Sequence, residues 1–155
     1  MLFALLLTVL SIISADVDIG RDNSFKAYMD YRTITSEGTE QYRLQEVAWT
    51  DLHGFRRFGA NRYMVALGTY YTQGKAGGRF VVTFDTGEFI KCVAGDVKAD
   101  EHTDESNRFR EVNEDLGCIV EFIVDTDELD DITKELGDCS TMFPGKVVSI
   151  VEEQL

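Results

Sequence analysis

Arg62-Tyr63-Met64-Val65-Ala66-Leu67-Gly68-Thr69-Tyr70-Tyr71 and Arg79-Phe80-Val81-Val82-Thr83-Phe84 precede Asp85-Thr86-Gly87 and then Glu88-Phe89-Ile90-Lys91-Cys92-Val93-Ala94. These residues decide the fold. Both of the first two runs are rich in β-branched and aromatic side chains, which suit a pleated, half-buried strand. Asp85-Thr86-Gly87 is a tight hairpin turn, because Gly can supply the positive φ such a turn needs. Strands are therefore expected over 62–71, 79–84 and 88–94, with Gly74, Gly77 and Gly78 in the loop between the first two.

On the C-terminal side, Gly95 to Asp115 is a long polar stretch dense in Asp, His, Thr, Ser and Asn. Ile119 to Val124 reads as another strand. Leu129, Ile132 and Leu136 recur at helical spacing, so a short amphipathic helix is expected over Asp127 to Leu136, ended by Gly137. Lys146 to Val151 is the last strand, and Pro144 sits in the loop before it, where Pro is tolerated. On the N-terminal side, Ser36-Glu37-Gly38-Thr39 is a turn signal. Glu40 to Trp49 is a short helix or an extended arm, with Tyr42, Leu44, Val47 and Ala48 among Glu and Gln. The class is mainly β, with five or six short strands and one or two short helices. Closing such strands into a small barrel would remove their exposed edges.

The chain of 155 residues suits one domain. Residues 1–15 are apolar and uncharged until Asp16, too short to span a bilayer and matching the core of a signal peptide, with Ser14-Ala15 before a cleavage point. The alternative is an uncleaved anchor, which would be the protein's one attachment to a membrane. Residues 16–60 are then an N-terminal arm and 61–155 the barrel domain. A secreted or envelope-held monomer is expected. Cys92, Cys118 and Cys139 form no CxxC pair, and in an oxidising compartment two of them could join.

The formal net charge is −13. It argues against nucleic acid, whose phosphates need clustered Lys and Arg, and against an anionic membrane surface. A neutral glycan, a cation or a basic protein is easier to accommodate, and simple solubility is the plain alternative.

The order of pieces resembles the double-psi β-barrel superfamily, in particular the three-aspartate (3D) cell-wall domain found also in lytic transglycosylases and, more remotely, in RlpA-like and expansin-like proteins. The matching pieces are Val65-Ala66-Leu67-Gly68, Gly78 to Val82, Asp85-Thr86-Gly87 and Val93-Ala94-Gly95-Asp96. Val120 to Val124, Leu129 to Gly137 and Gly145-Lys146-Val147-Val148 complete the set. Residues 1–60 are not covered. The resemblance implies a six-stranded double-psi barrel acting on cell-wall glycan. Of the family's three aspartates, the first falls at Leu67, the second on Asp96 and the third, which looks like the catalytic acid of the transglycosylase relatives, on Glu121. Lys98-Ala99-Asp100-Glu101-His102-Thr103-Asp104 also resembles a stretch in secreted proteins of Gram-positive bacteria.

Cleaving a glycosidic bond needs a carboxylic acid that protonates the leaving oxygen, with its pKa raised by burial or a neighbouring charge. Glu121 stands in an otherwise apolar strand, and alternation puts it on one face with Ile119 and Ile123. The other reading turns Glu121 to solvent and Val120 and Phe122 inward. Asp96 is the partner carboxylate. Lys98, Asp100, His102 and Asp104 lie within reach of a substrate at the end of the preceding strand, and Tyr70 offers a ring for a sugar. Tyr63, Tyr70 and Tyr71 could all stack on sugar rings, but aromatics in a strand are more often core. The acidic stretch is alternatively a solvated loop or a cation site, since hard cations favour oxygen ligands. Zinc would want more than one His, and no cofactor is implied. Asp125-x-Asp127 opens like a calcium loop, but Asp130 stands where Gly belongs and Leu136 where Glu belongs, so an EF-hand is rejected. His53 and His102 form no triad. The expected function is cleavage of peptidoglycan with Glu121 as acid. The alternatives are a non-catalytic glycan- or envelope-binding module and a phage-derived structural or assembly protein.

Overall fold

The computed structural model describes residues 22–113 and 115–154. Residues 1–15, read as signal peptide or anchor, lie outside the described residues. Among the described residues, no helix is long and apolar enough to cross a membrane. The described residues hold ten strands: β1 (Tyr28–Asp30), β2 (Trp49–Thr50), β3 (Arg56–Phe58), β4 (Arg62–Gly68), β5 (Arg79–Phe84), β6 (Phe89–Lys98), β7 (Arg110–Glu111), β8 (Gly117–Cys118), β9 (Glu121–Val124) and β10 (Val147–Glu152). Three α-helices accompany them among the described residues: α1 (Glu40–Val47), α2 (Thr69–Thr72) and α3 (Asp131–Leu136). The protein is mainly β. One mixed sheet runs β1-β9-β4-β6-β5-β10, with β3 also on β4 and β2 on β3, while β7 and β8 form a separate ribbon.

The hairpin forms where the turn signal lies: β5 and β6 pair antiparallel around Asp85-Thr86-Gly87, and Gly87 takes φ 87°. The run from Arg62 does not stay a strand to Tyr71. It ends at Gly68, and Thr69–Thr72 turns into α2. The cause lies in the loop that follows β6. Its Asn107 carbonyl accepts from the Tyr70 amide at 3.2 Å, and a Cβ at Gly68 would overlap that same carbonyl oxygen. Only glycine lets the loop close down on the end of β4.

β4 is buried on both faces. Val65 and Leu67 face the larger core, where the Phe122 and Phe143 rings stack at 4.3 Å and Phe55 meets both edge-on. Met64 faces a smaller cluster with Val93, Ile123 and Leu44. Leu44 is carried there by α1, whose start is capped by Thr39 accepting from the Tyr42 amide at 3.3 Å. The described part of the expected arm, 22–60 of 16–60, contributes strands to the sheet: β1 pairs with β9, and β3 pairs with β4.

α3 begins later than expected, at the Asp130 cap, and its phase is different. Leu129 and Thr133 point inward, while Ile132 and Leu136 are 59% and 58% exposed. The spacing of these residues is helical, but the six-residue helix presents the opposite stripe to the core. Cys92, Cys118 and Cys139 are buried free thiols, and burial pushes each of them up.

Candidate functional site

The site is set by one row of residues across three strands. Ala66 on β4 pairs in register with Asp96 on β6 and with Glu121 on β9. Residues directly opposite one another on neighbouring strands project to the same face, so both carboxylates stand on one side of the sheet with an alanine methyl between them. Strands lie ~4.8 Å apart, which puts the Asp96 and Glu121 backbones on the order of 10 Å from each other.

Asp96 reaches that face through a bulge. Val65 pairs with Ala94 and the next residue, Ala66, pairs with Asp96, so Gly95 is the extra residue on β6. A bulge reverses the alternation beyond it. Val93 therefore fills the smaller core beside Met64, while Asp96, three residues on, faces the same way. Gly95 itself is packed so closely that a Cβ would stand 2.8 Å from Ile123 Cδ1 and 3.0 Å from Met64 Cε. Glu121 and Ile123 share a face as alternation required, but Ile119 lies before β9 and belongs to the larger core.

A cleft of about 430 Å³ opens over this row, lined by Met29, Ala66, Asp96, Val97, Lys98, His102, Arg110 and Glu121. Lys98 is only 5% exposed. Its Nζ lies 3.6 Å from Glu121 Oε2 and donates to the Cys118 carbonyl at 3.3 Å. Burial, with the Glu121 charge adding to it, pushes the Asp96 carboxyl above its ordinary range, against a hydrogen bond from the Val97 amide. The structure thus places two carboxyls of unlike surroundings in one cleft: Glu121 held by an ammonium, and Asp96 desolvated and facing a like charge.

Four of the sequence-expected residues meet there: Asp96, Lys98, His102 and Glu121. Asp100, Asp104 and Tyr70 are not among the lining residues. Asp100 accepts from Thr69 Oγ1 at 2.5 Å and joins the post-β6 loop to α2. Asp104 accepts from the amides of Arg108 and Phe109 and from Ser106 Oγ. Burial raises its pKa, but those hydrogen bonds outweigh it and hold the carboxyl below its ordinary range. Tyr70 is half-exposed beneath the Arg108 guanidinium, 4.7 Å away. The polar stretch is therefore an ordered loop, and its one phenylalanine, Phe109, is 2% exposed and pins it to the larger core. That anchor positions His102 and Arg110 at the rim. Among the described residues no group of three or more His, Cys, Asp or Glu is arranged to hold a metal ion. Asp125 and Asp127 both accept from Arg32, which lies on Asp30 as well.

Met29, Ala66 and Arg110 were not singled out from the sequence. Ala66 carried a signal, a small residue amid larger ones in a strand. Met29 and Arg110 reach the cleft only through long-range pairing, of β1 with β9 and of β7 with β8. Leu67, which the resemblance set at a first aspartate position, is fully buried in the larger core, on the face of β4 away from Ala66.

No family model, no curated protein and no solved structure matches this chain.

Proposed function

We propose that the cleft cleaves a glycosidic bond in cell-wall glycan, with Asp96 as the proton donor and Glu121 as its anionic partner. The observation that carries the reading is the convergence of Asp96 and Glu121 on one cleft from either side of Ala66, with the Asp96 carboxyl pushed up by burial and the facing charge. A general acid must hold its proton until the leaving oxygen needs it, which favours the desolvated carboxyl. This reverses the two roles expected from the resemblance. Asp96 delivers its proton to the glycosidic oxygen as that bond breaks. Glu121 stabilises the positive charge growing at the sugar carbon and takes the proton of the attacking hydroxyl, whether from water or from the substrate itself. Lys98 keeps Glu121 in place. Secretion or attachment to the cell envelope belongs to the same reading and is motivated by residues 1–15.

The finer fold is read here as a double-psi barrel. Two bonds near the ends of the sheet path support this: the Val147 amide donates to the Asn23 carbonyl at 3.4 Å, and Lys26 Nζ donates to the Gly145 carbonyl at 2.6 Å. They bring the segment before β1 against the start of β10. A second reading, a glycan-binding module without catalysis, is favoured by Leu67, which leaves the family's first acidic position inside the core.

Release of soluble fragments from purified cell walls tests both, with circular dichroism as the folding control. Release by wild type, lost in Asp96→Asn and in Glu121→Gln, supports cleavage. Binding to walls without release by wild type decides for the second reading. Release unchanged in both variants removes this cleft as the site.

A further inference from the structure

We infer that Arg110 is a specificity-determining residue, reading an anionic group on the ligand that occupies the cleft; the inference rests on the glycan reading above. Lys98, the other permanent cation of the lining, is inside the protein and committed to Glu121 and to the Cys118 carbonyl. Arg110 is different. It stands on the ribbon of β7 and β8, opposite Cys118, where its side chain is exposed and lines the cleft. Among the described residues it makes no ion pair and no side-chain hydrogen bond, although Glu101, Glu105 and Glu111 border the smaller depression on its other side. Neither Asp96 nor Glu121 pairs with it.

A lone guanidinium at the rim of a cleft has a definite chemical meaning. It presents a planar fork of donors that fits a carboxylate bidentately, and it is weakly hydrated enough to exchange water for that partner. In a chain of net charge −13, long-range electrostatics repel anions. A ligand carrying a carboxylate would therefore be accepted in one orientation, with its charge at Arg110 and its neutral glycosidic linkage over Asp96 and Glu121. His102, at the same rim and 71% exposed, adds a second donor. The ligand class is a glycan with carboxylate substituents rather than a neutral one.

The probes are chitotetraose, a neutral tetrasaccharide of N-acetylglucosamine, and a tetrasaccharide of the same backbone in which alternate sugars carry a lactyl carboxylate. Both are titrated calorimetrically into the full chain carrying Asp96→Asn, which prevents turnover, with and without Arg110→Gln or Arg110→Lys. The anionic tetrasaccharide is expected to bind about tenfold or more tightly than the neutral one, as a charge-assisted bidentate pair would give. Arg110→Gln should abolish that preference and leave chitotetraose unchanged, Arg110→Lys should keep part of it, and added salt should weaken it. Equal binding of the two probes, or a preference that survives Arg110→Gln, overturns the inference while the glycan reading stands. Binding of neither probe overturns both.

Discussion

The Nζ of Lys98 on β6 lies 3.6 Å from the Oε2 of Glu121 on β9, with both side chains largely shielded from water. β4 separates the two strands, so the pair ties β6 to β9 across it. Removing one member leaves the other charge buried without its partner, which costs more than removing both. Lys98→Met is expected to destabilise the fold by about 1–3 kcal/mol, and the double variant Lys98→Met/Glu121→Gln to recover part of that loss. Urea unfolding of the four proteins of this cycle measures it. A double-variant loss equal to the sum of the two single losses would mean the two groups do not interact.

Asp96 is expected to cost stability at neutral pH. Its carboxyl is raised in the folded state, so the native protein binds more protons than the unfolded chain between the ordinary carboxylate range and the folded value. The favourable contribution is complete below about pH 3.8 and is lost as pH rises through the folded value. Asp96→Asn should therefore raise the melting temperature at pH 7, by a few degrees for about 1 kcal/mol, and the gain should shrink towards zero in acid. Calorimetry of wild type and variant between pH 3 and pH 7 follows it. A variant that melts lower than wild type at pH 7 would contradict the desolvation of this carboxyl.

Gly95 is expected to tolerate no side chain. Its Cβ would press on Ile123 and Met64 at the bulge that turns Asp96 into the cleft. Gly95→Ala should destabilise by about 1–3 kcal/mol, the usual range for overpacking. On the proposed reading it should also lower wall release beyond that loss, because the bulge aims the Asp96 carboxyl. Denaturation combined with the wall-release assay at a temperature where the variant is folded separates the two effects.

Lys26 is fully buried, with Nζ donating to the Ser24 and Gly145 carbonyls at 2.6 Å each. Burial lowers its pKa, although Asp138 opposes the shift. The unfolded chain then binds the proton more readily, so stability should rise with pH between the folded value and about 10.5, the ordinary lysine range. Lys26→Met removes the titrating group, so the alkaline rise should disappear whatever the offset between the two proteins. Parallel slopes for wild type and Lys26→Met from pH 8 to pH 10.5 would refute it.

Local pattern left Glu40 to Trp49 open between a helix and an arm, and it was enough for the hairpin around Asp85-Thr86-Gly87, the strand near Lys146 and the mainly β class. Each of these is written in neighbouring residues through alternation or turn chemistry. Together with the resemblance, local pattern nominated Asp96, Lys98, His102 and Glu121, but Asp100, Asp104 and Tyr70 as well, since a carboxylate within an apolar strand and charges at a strand end are visible in one dimension while the cleft they reach is not. Tertiary structure alone decided the rest. Whether Tyr70 and Tyr71 continue a strand depended on Asn107 closing against Gly68. The helix after Asp130 buried Thr133 and exposed Ile132 because phase is chosen by what lies underneath, not by spacing. Asp96 and Glu121 face one cleft because two register choices, one parallel and one antiparallel, converge on Ala66, and because Gly95 bulges out of β6. Register is a relation between strands far apart in the chain, so no local window contains it. The unequal surroundings of the two carboxyls have the same origin, since Lys98 meets Glu121 only after β6 and β9 take their places on either side of β4.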